Sequence, residues 1–318
     1  MKPLYPATFK AADVERQHWA EIPANIQFYR HVRNVCNGFP SVVLAWSARP
    51  GLESLAAGIA EGLMNSGINV FMPPQAAPIC ALSQAIGARN LPIALYLDAD
   101  EHVANLTLAA LSSHGGPFDQ QDILTAPFGR SGKSGVAGET DIERAYVNNL
   151  AGLADQFIEN GTGFSELEIP FSALLDRLHE NPALKILFQQ DPEGPKAIVG
   201  HDGQTLTIIE KDGRQMQTTE IASFITSYLV EDRMAAGTLL GPTGQVHDFA
   251  RSFAGLETIE IDDSLTDFHH RASFIDLLIG WWHNGLIAHQ GGSCFGDAIL
   301  TAVYYLESRR RHHQKKNM

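Results

Sequence analysis

Cysteine is scarce. Cys36, Cys80 and Cys294 stand far apart and are odd in number, which suggests neither a disulfide framework nor a zinc knuckle. Long apolar runs are missing as well. No segment reaches the roughly 20 residues a membrane-spanning helix needs, and no basic start leading into an apolar stretch marks a signal peptide. Positive charge is short: 23 basic residues face 36 acidic ones, a formal charge of −13. That balance disfavours a general nucleic-acid binder, whose affinity rests on neutralising phosphates. The expectation is a cytoplasmic protein with no nucleic-acid or membrane partner. What is plentiful is apolar surface: 44% of 318 residues, enough for a real core in two or three domains.

Residues 42–71 organise the chain. Val42, Val43 and Leu44 form an apolar, β-branched run that reads as a buried strand. Ser47 can cap the helix that follows, and Pro50 suits its first turn. Leu52, Leu55, Ala56, Ile59 and Leu63 recur at helical spacing, and Gly67 is a natural stop. Ile68, Val70 and Phe71 begin a second strand. A β-α-β unit of this kind builds a parallel sheet. Further on, residues 79–86 read as a helix ended by Gly87, and residues 93–97 as another buried strand. Residues 114–141, with FGRSGKSG near their end, are dense in Gly and Ser and read as a long loop. Helices are expected over 142–157 and 171–178, between residue 214 and the strand near 238, and over 247–253. Strands are expected over 184–188, 197–199, 206–209, 238–240 and 258–261.

This order resembles the α-D-phosphohexomutases, the bacterial phosphomannomutase/phosphoglucomutase branch. Their first domain carries a strand, a D-x-R-x-S turn, a helix and a second strand; here the turn reads Ser47-Ala48-Arg49-Pro50-Gly51. Their F-R-A-Y-D-I-R-G opening is matched at Phe9, Lys10, Ala11, Asp13 and Val14, with Ala12 and Glu15 in place of Tyr and Arg. The C-terminal stretch Phe295-Gly296-Asp297-Ala298-Ile299-Leu300 is similar to their closing D-G-I helix. The resemblance implies an α/β fold of phosphohexomutase-like domains with mixed sheets. It implies a first domain over 1–150, a reduced second domain over 151–213 and a third over 214–318 with a basic tail. A fourth, phosphate-clamping domain is expected to be absent.

The resemblance also implies where chemistry would lie. Asp98 stands at the phosphoserine position and Asn105 at the Asn of the N-G-I-K segment. Asp98 could form an acyl phosphate, stand as a fixed negative charge, or be a loop carboxylate. The family's magnesium loop carries three aspartates, because a hard cation wants clustered carboxylate oxygens. Here those positions hold Gly200, Asp202 and Gln204, with Thr205 for the arginine. A rival register offers Gln189, Asp191 and Glu193. The sugar-gripping G-E-x-S-G-H loop becomes Gly280-Trp281-Trp282-His283-Asn284-Gly285. Arg49, Asn105, Trp281 and His283 are the candidate ligand contacts, and Asp202 the candidate metal position.

Phosphoryl transfer depends on electrostatic stabilisation by a cation and positioned donors. With those groups replaced, the expectation is a non-catalytic phosphohexomutase-like protein that binds a sugar phosphate or a protein partner and needs no cofactor. The alternatives are an active mutase using Asp98 with magnesium, and a structural protein that forms a homo-oligomer or pairs with a genuine mutase.

Overall fold

Val42, Val43 and Leu44 become the middle of β2 (Ser41–Trp46) in a computed structural model of the chain, each almost wholly buried. The structure describes residues 7–10, 36, 39–89, 93–99, 105–118, 134–154, 163–253, 255–262 and 264–316. Ala11 to Glu15, most of FGRSGKSG and the end of the helix expected over 142–157 therefore lie outside the described residues. Two compact units divide the chain, Met1–Ala145 and Tyr146–Met318.

In the first unit, β2 is followed by α1 (Leu52–Asn65), β3 (Asn69–Met72), α2 (Ile79–Arg89), β4 (Ile93–Ala99), β5 (Asn105–Ser112) and β6 (Ala137–Glu139). A short β1 (Ala7–Lys10) precedes them. The sheet order is β1-β5-β4-β2-β3-β6. The strands β4, β2, β3 and β6 run parallel, while β5 and β1 are antiparallel to their neighbours. Helix α1 ends as the sequence implies. Gly67 is left-handed (φ 86°), its N–H bonds Met64 O, and Ile68 N–H reaches back to Leu63 O. Its start differs from expectation. The residue before the helix is Gly51, also left-handed, and Ser47 makes no cap. The helix expected to stop at Gly87 continues to Arg89. A mid-helix glycine is a tolerable cost of about 1 kcal/mol.

The second unit holds two more mixed sheets. The helix α3 (Glu143–Ala154) leads into it. A three-stranded sheet follows, β7 (Glu166–Glu168) parallel to β8 (Lys196–Val199), which pairs antiparallel with β9 (Leu206–Ile209). Between β7 and β8 lie α4 (Ser172–Glu180) and a 3-10 helix, Pro182–Phe188. The 3-10 helix stands where the apolar run predicts a strand over 184–188. Asn181 begins a turn, its side chain accepting from Ala183 N–H at 3.0 Å, and Leu184 and Leu187, three apart, are both buried. That spacing suits three residues per turn.

A four-stranded sheet completes the unit, in the order β11 (Glu257–Ile261), β10 (Thr238–Pro242), β12 (Leu277–Trp281) and β13 (Ile287–His289). The first three are parallel and β13 is antiparallel. The helices are α5 (Thr218–Ser227), α6 (Val246–Ala250), α7 (Leu265–Ala272) and α8 (Ala298–Lys316). Leu240, Ile261, Phe268, Leu277 and Leu286 share one apolar cluster with Trp282 packed on it. Asp297 sets the start of α8: its Oδ1 accepts from Leu300 N–H (2.9 Å) and from Tyr146 O–H (2.7 Å). The basic tail is helical to Lys316, and Arg310 and Arg311 both bond the fully buried Glu307. Among the described residues, no helix is long and apolar enough to cross a membrane.

Candidate functional site

Two places gather the candidate residues, one in each unit. In the first, the chain leaves β2 for β3 on one side and returns to β4 on the other, so the strand order switches between β2 and β4. Ligands in open α/β sheets usually lie beyond the carboxyl ends of strands at such a point. Asp98 sits there, near the end of β4, and Ser47 directly follows β2. Ser47 N–H bonds Leu97 O at 2.9 Å, which holds the two strand ends together. The wholly buried Ser47 hydroxyl donates to Asp98 Oδ1 at 2.5 Å. Arg49 Nε lies 3.5 Å from the same oxygen, and both side chains of this pair are 22% exposed. The Ser47 hydroxyl thus serves Asp98 rather than the helix cap that its position in the sequence predicts. Asn105 opens β5 opposite Lys10.

In the second unit, Asp202 lies in the turn between β8 and β9. Its Oδ1 accepts Gln204 N–H (2.9 Å) and its Oδ2 accepts Gln204 Nε2 (3.1 Å). The turn is tight: Gly203 has φ 77°, and Gly200 N–H bonds Thr205 O at 2.9 Å. A divalent ion would find one carboxylate, already bonded within its own turn, and one buried amide oxygen of Gln204 that has no partner. Magnesium wants near-octahedral oxygen coordination, so these residues do not fit it. No group of three or more His, Cys, Asp and Glu side chains able to hold a metal occurs among the described residues.

Trp281 and His283 come together at a cavity of about 360 Å³. Trp281 closes β12 and His283 lies on the loop to β13. Lining the same cavity are Gln217 and Thr218 at the start of α5 and Gln245 just before α6. Asn284 (φ 59°) and Gly285 (φ 84°) are both left-handed, and only glycine fits the second position. A Cβ there would stand 2.2 Å from Leu206 O. Gly285 N–H donates to Thr218 Oγ1 at 2.8 Å, tying the loop to the helix start. The Trp281 ring is buried, packed on Phe249 with ring centres 4.4 Å apart, and lies against Gly241, where a Cβ would meet it at 2.8 Å. Its Nε1 has no hydrogen-bond partner. The predicted tryptophan is thus both core and cavity wall.

Solved structures share this fold. A candidate phosphomannomutase of Thermus thermophilus superposes over 96% of this chain and 77% of its own, with a TM-score of 0.70 and 16% identity. A phosphoglucomutase/phosphomannomutase family protein of Burkholderia thailandensis covers 91% and 75%, with a TM-score of 0.66 and 15% identity. The fold is that of the phosphohexomutases. The open form of parafusin, a phosphoglucomutase from Paramecium, covers all of this chain and 72% of its own, with a TM-score of 0.63 and 10% identity. No family model matches the sequence, and no curated protein matches it either. The phosphohexomutase-like fold therefore rests on geometry. The contribution of α5 to the cavity is absent from the sequence reading. The run Gln217-Thr218-Thr219-Glu220 is a capping-box pattern that could have located the helix start.

Proposed function

We propose that this chain is a non-catalytic ligand-binding protein built on the phosphohexomutase fold, with a reduced second domain. Its ligand, a sugar or sugar phosphate, sits in the cavity beside Trp281 and His283. One observation supports the reading: both oxygens of Asp202 are bonded within its own turn, so the turn has little to offer a cation, while a cavity of about 360 Å³ stands beside Trp281 and His283. Asp98 is held by Ser47 and Arg49, and Asp202 by Gln204. A phosphoryl carrier must present a free nucleophile, and a cation site must present free oxygens. Both oxygens of Asp202 are engaged, and Oδ1 of Asp98 is.

The test is turnover and binding measured together. Purified protein is incubated with glucose 1-phosphate or mannose 1-phosphate, magnesium and a bisphosphate activator. Thermal shift is then followed against the same sugars. No turnover with a rise in melting temperature is expected; interconversion of the hexose phosphates refutes the reading. A second reading, a mutase using Asp98 as nucleophile, draws support from the position of Asp98 at the switch point of the sheet. It requires an acyl phosphate on Asp98, which hydroxylamine would cleave and mass spectrometry would locate.

A further inference from the structure

The loop between β12 and β13 carries a reactive dipeptide, Asn284-Gly285. Asparagine is a thermally labile side chain. It is most labile before glycine, because a following residue without Cβ leaves its backbone nitrogen unhindered and free to turn. In the reaction the Gly285 nitrogen attacks Cγ of the Asn284 side chain. A C–N bond forms, and the side-chain amide leaves as ammonia, taking the proton that the Gly285 N–H gives up. A five-membered succinimide results. Water then opens the ring at either carbonyl, giving aspartate or isoaspartate. Water is the one co-reactant the sequence of steps requires.

The fold presents one partner of this reaction and withholds the other. Asn284 is exposed to water on the wall of the cavity. Gly285 is buried, and its N–H donates to Thr218 Oγ1 at 2.8 Å. The backbone adds a second restraint. At Asn284 φ is 59° and ψ is 31°, which sets the Gly285 nitrogen nearly opposite Cβ across the Cα–C bond. Ring closure needs the two on the same side. To react, the Asn284 ψ must swing round. That swing draws the Gly285 N–H off Thr218 and lifts Gly285 from its seat against Leu206, where a Cβ would already stand 2.2 Å from the carbonyl oxygen.

The products do not fit the seat they leave. Isoaspartate routes the main chain through the side-chain carbon and so lengthens it by one methylene. The left-handed pair at 284 and 285, with Gly285 set between Thr218 and Leu206, is spaced for the ordinary backbone. Either product also carries a carboxylate. Among the described residues no lysine, arginine, aspartate or glutamate lines the cavity, so the new charge would stand there without a cation in the lining and would repel an anionic ligand. The conversion does not run backwards, so a loop that has opened for long enough is marked.

We propose that Asn284-Gly285 is a latent modification site: deamidation is held off while the Gly285 N–H stays on Thr218, and it converts the loop to a charged, opened form once that bond is let go. The inference goes beyond the proposed function and stands whatever the cavity binds. The full chain is incubated at mildly alkaline pH, once in buffer and once in concentrated urea, and peptide mapping by mass spectrometry follows Asn284. Mapping separates it from Asn37-Gly38 and Asn160-Gly161, which lie outside the described residues. In buffer Asn284 reacts roughly tenfold or more slowly than in urea, since only the opened fraction is reactive. Thr218→Val removes the acceptor at nearly constant volume and raises the rate in buffer roughly threefold or more. Thr218→Ser keeps the hydroxyl and keeps the protection. Melting curves check that both variants fold, and the comparison of buffer with urea needs neither of them. The deamidated protein, separated by its extra charge, exchanges its amide hydrogens faster over residues 282–286 than the parent. Deamidation as fast in buffer as in urea overturns the inference, and so does a rate that a folded Thr218→Val leaves unchanged. Unaltered exchange over the loop after deamidation overturns the opening.

Discussion

Lowering the pH from 7 to 5 should destabilise the second unit through two buried histidines. His269 and His289 are 4% and 2% exposed, and burial pushes both imidazoles down from 6.5 to about 3. Neither ring nitrogen of His269 has a partner, while it packs against Phe268 and Phe295. His289 Nε2 lies 2.7 Å from Thr301 Oγ1, and Thr301 gives its own hydrogen to Asp297 O, so His289 is the donor and its Nδ1 is bare. The folded pKa lies below the unfolded one. The stabilisation is therefore complete above the unfolded pKa of 6.5 and is lost as the pH falls toward 3. At pH 5 an unfolded imidazole is almost fully protonated and a folded one almost fully neutral, which costs about 2 kcal/mol per histidine, or about 4 for the pair. Unfolded carboxylates titrate near pH 4, so the window from 5 to 7 isolates the histidines. Urea unfolding at half-unit steps in that window measures the slope. His269→Leu should remove about half of it. The same variant should also gain about 1–3 kcal/mol at pH 7.5, because it removes an unpaired buried polar group. A slope unchanged by His269→Leu would show that the native protein already admits the proton there, and the account of its burial would be wrong.

Gly285→Ala should abolish sugar binding and lower the melting temperature, since the new Cβ meets the Leu206 carbonyl at 2.2 Å in a left-handed backbone; calorimetry and circular dichroism check both. Asp98→Asn keeps the shape of its site but loses the charge facing Arg49 and weakens the bond from the buried Ser47 hydroxyl. About 1–2 kcal/mol of stability should go, read by denaturant unfolding; a silent variant would mean the cluster holds nothing together. Glu307→Ala leaves Arg310, 9% exposed, without its carboxylate and should cost about 3–5 kcal/mol, whereas losing only the half-exposed Arg311 partner, by Arg311→Ala, should cost far less. Adding magnesium to several millimolar should leave the melting curve unmoved if the Asp202 turn does not hold the ion; a clear upward shift refutes that.

The fold is legible where backbone geometry imposes a residue type. Gly67 has to end α1 because its φ is 86°, and the apolar runs at 42–44 and 93–97 have to be inner strands because their side chains are buried on both faces of the sheet. The site is legible only as a set of positions. Arg49 and Asp98 do meet, and Trp281 and His283 do share a cavity. What they bond does not follow from spacing. Ser47 has the look of a helix cap, yet the strand through Leu97 is its hydrogen-bonded neighbour, fifty residues away, and long-range pairing leaves no local mark. The 3-10 helix over Pro182–Phe188 reads as a strand because a short apolar run carries both readings until its flanking Asn181-Pro182 turn is weighed. The role of α5 does not follow from the helix expected between residue 214 and the strand at 238, because apolar spacing marks a helix but not what its first turn lines.

The two carboxylates that the resemblance singles out, Asp98 and Asp202, find partners within the chain by different routes. A half-buried carboxylate at a strand end or tight turn needs donors, since taking charge out of water is costly. Asp98 finds a buried hydroxyl and a guanidinium on the adjoining strand's loop; Asp202 finds the main chain and amide of Gln204 two residues on. A cation at Asp202 must displace such bonds before it can bind, and each displaced bond adds to the cost. The cavity beside Trp281 shows the converse. Its buried indole N–H is left without an acceptor, and the loop that lines it is pinned by left-handed Asn284 and Gly285 and by the bond from Gly285 to Thr218. The charged positions are thus engaged largely within the chain, whereas the cavity beside Trp281 is lined by uncharged groups.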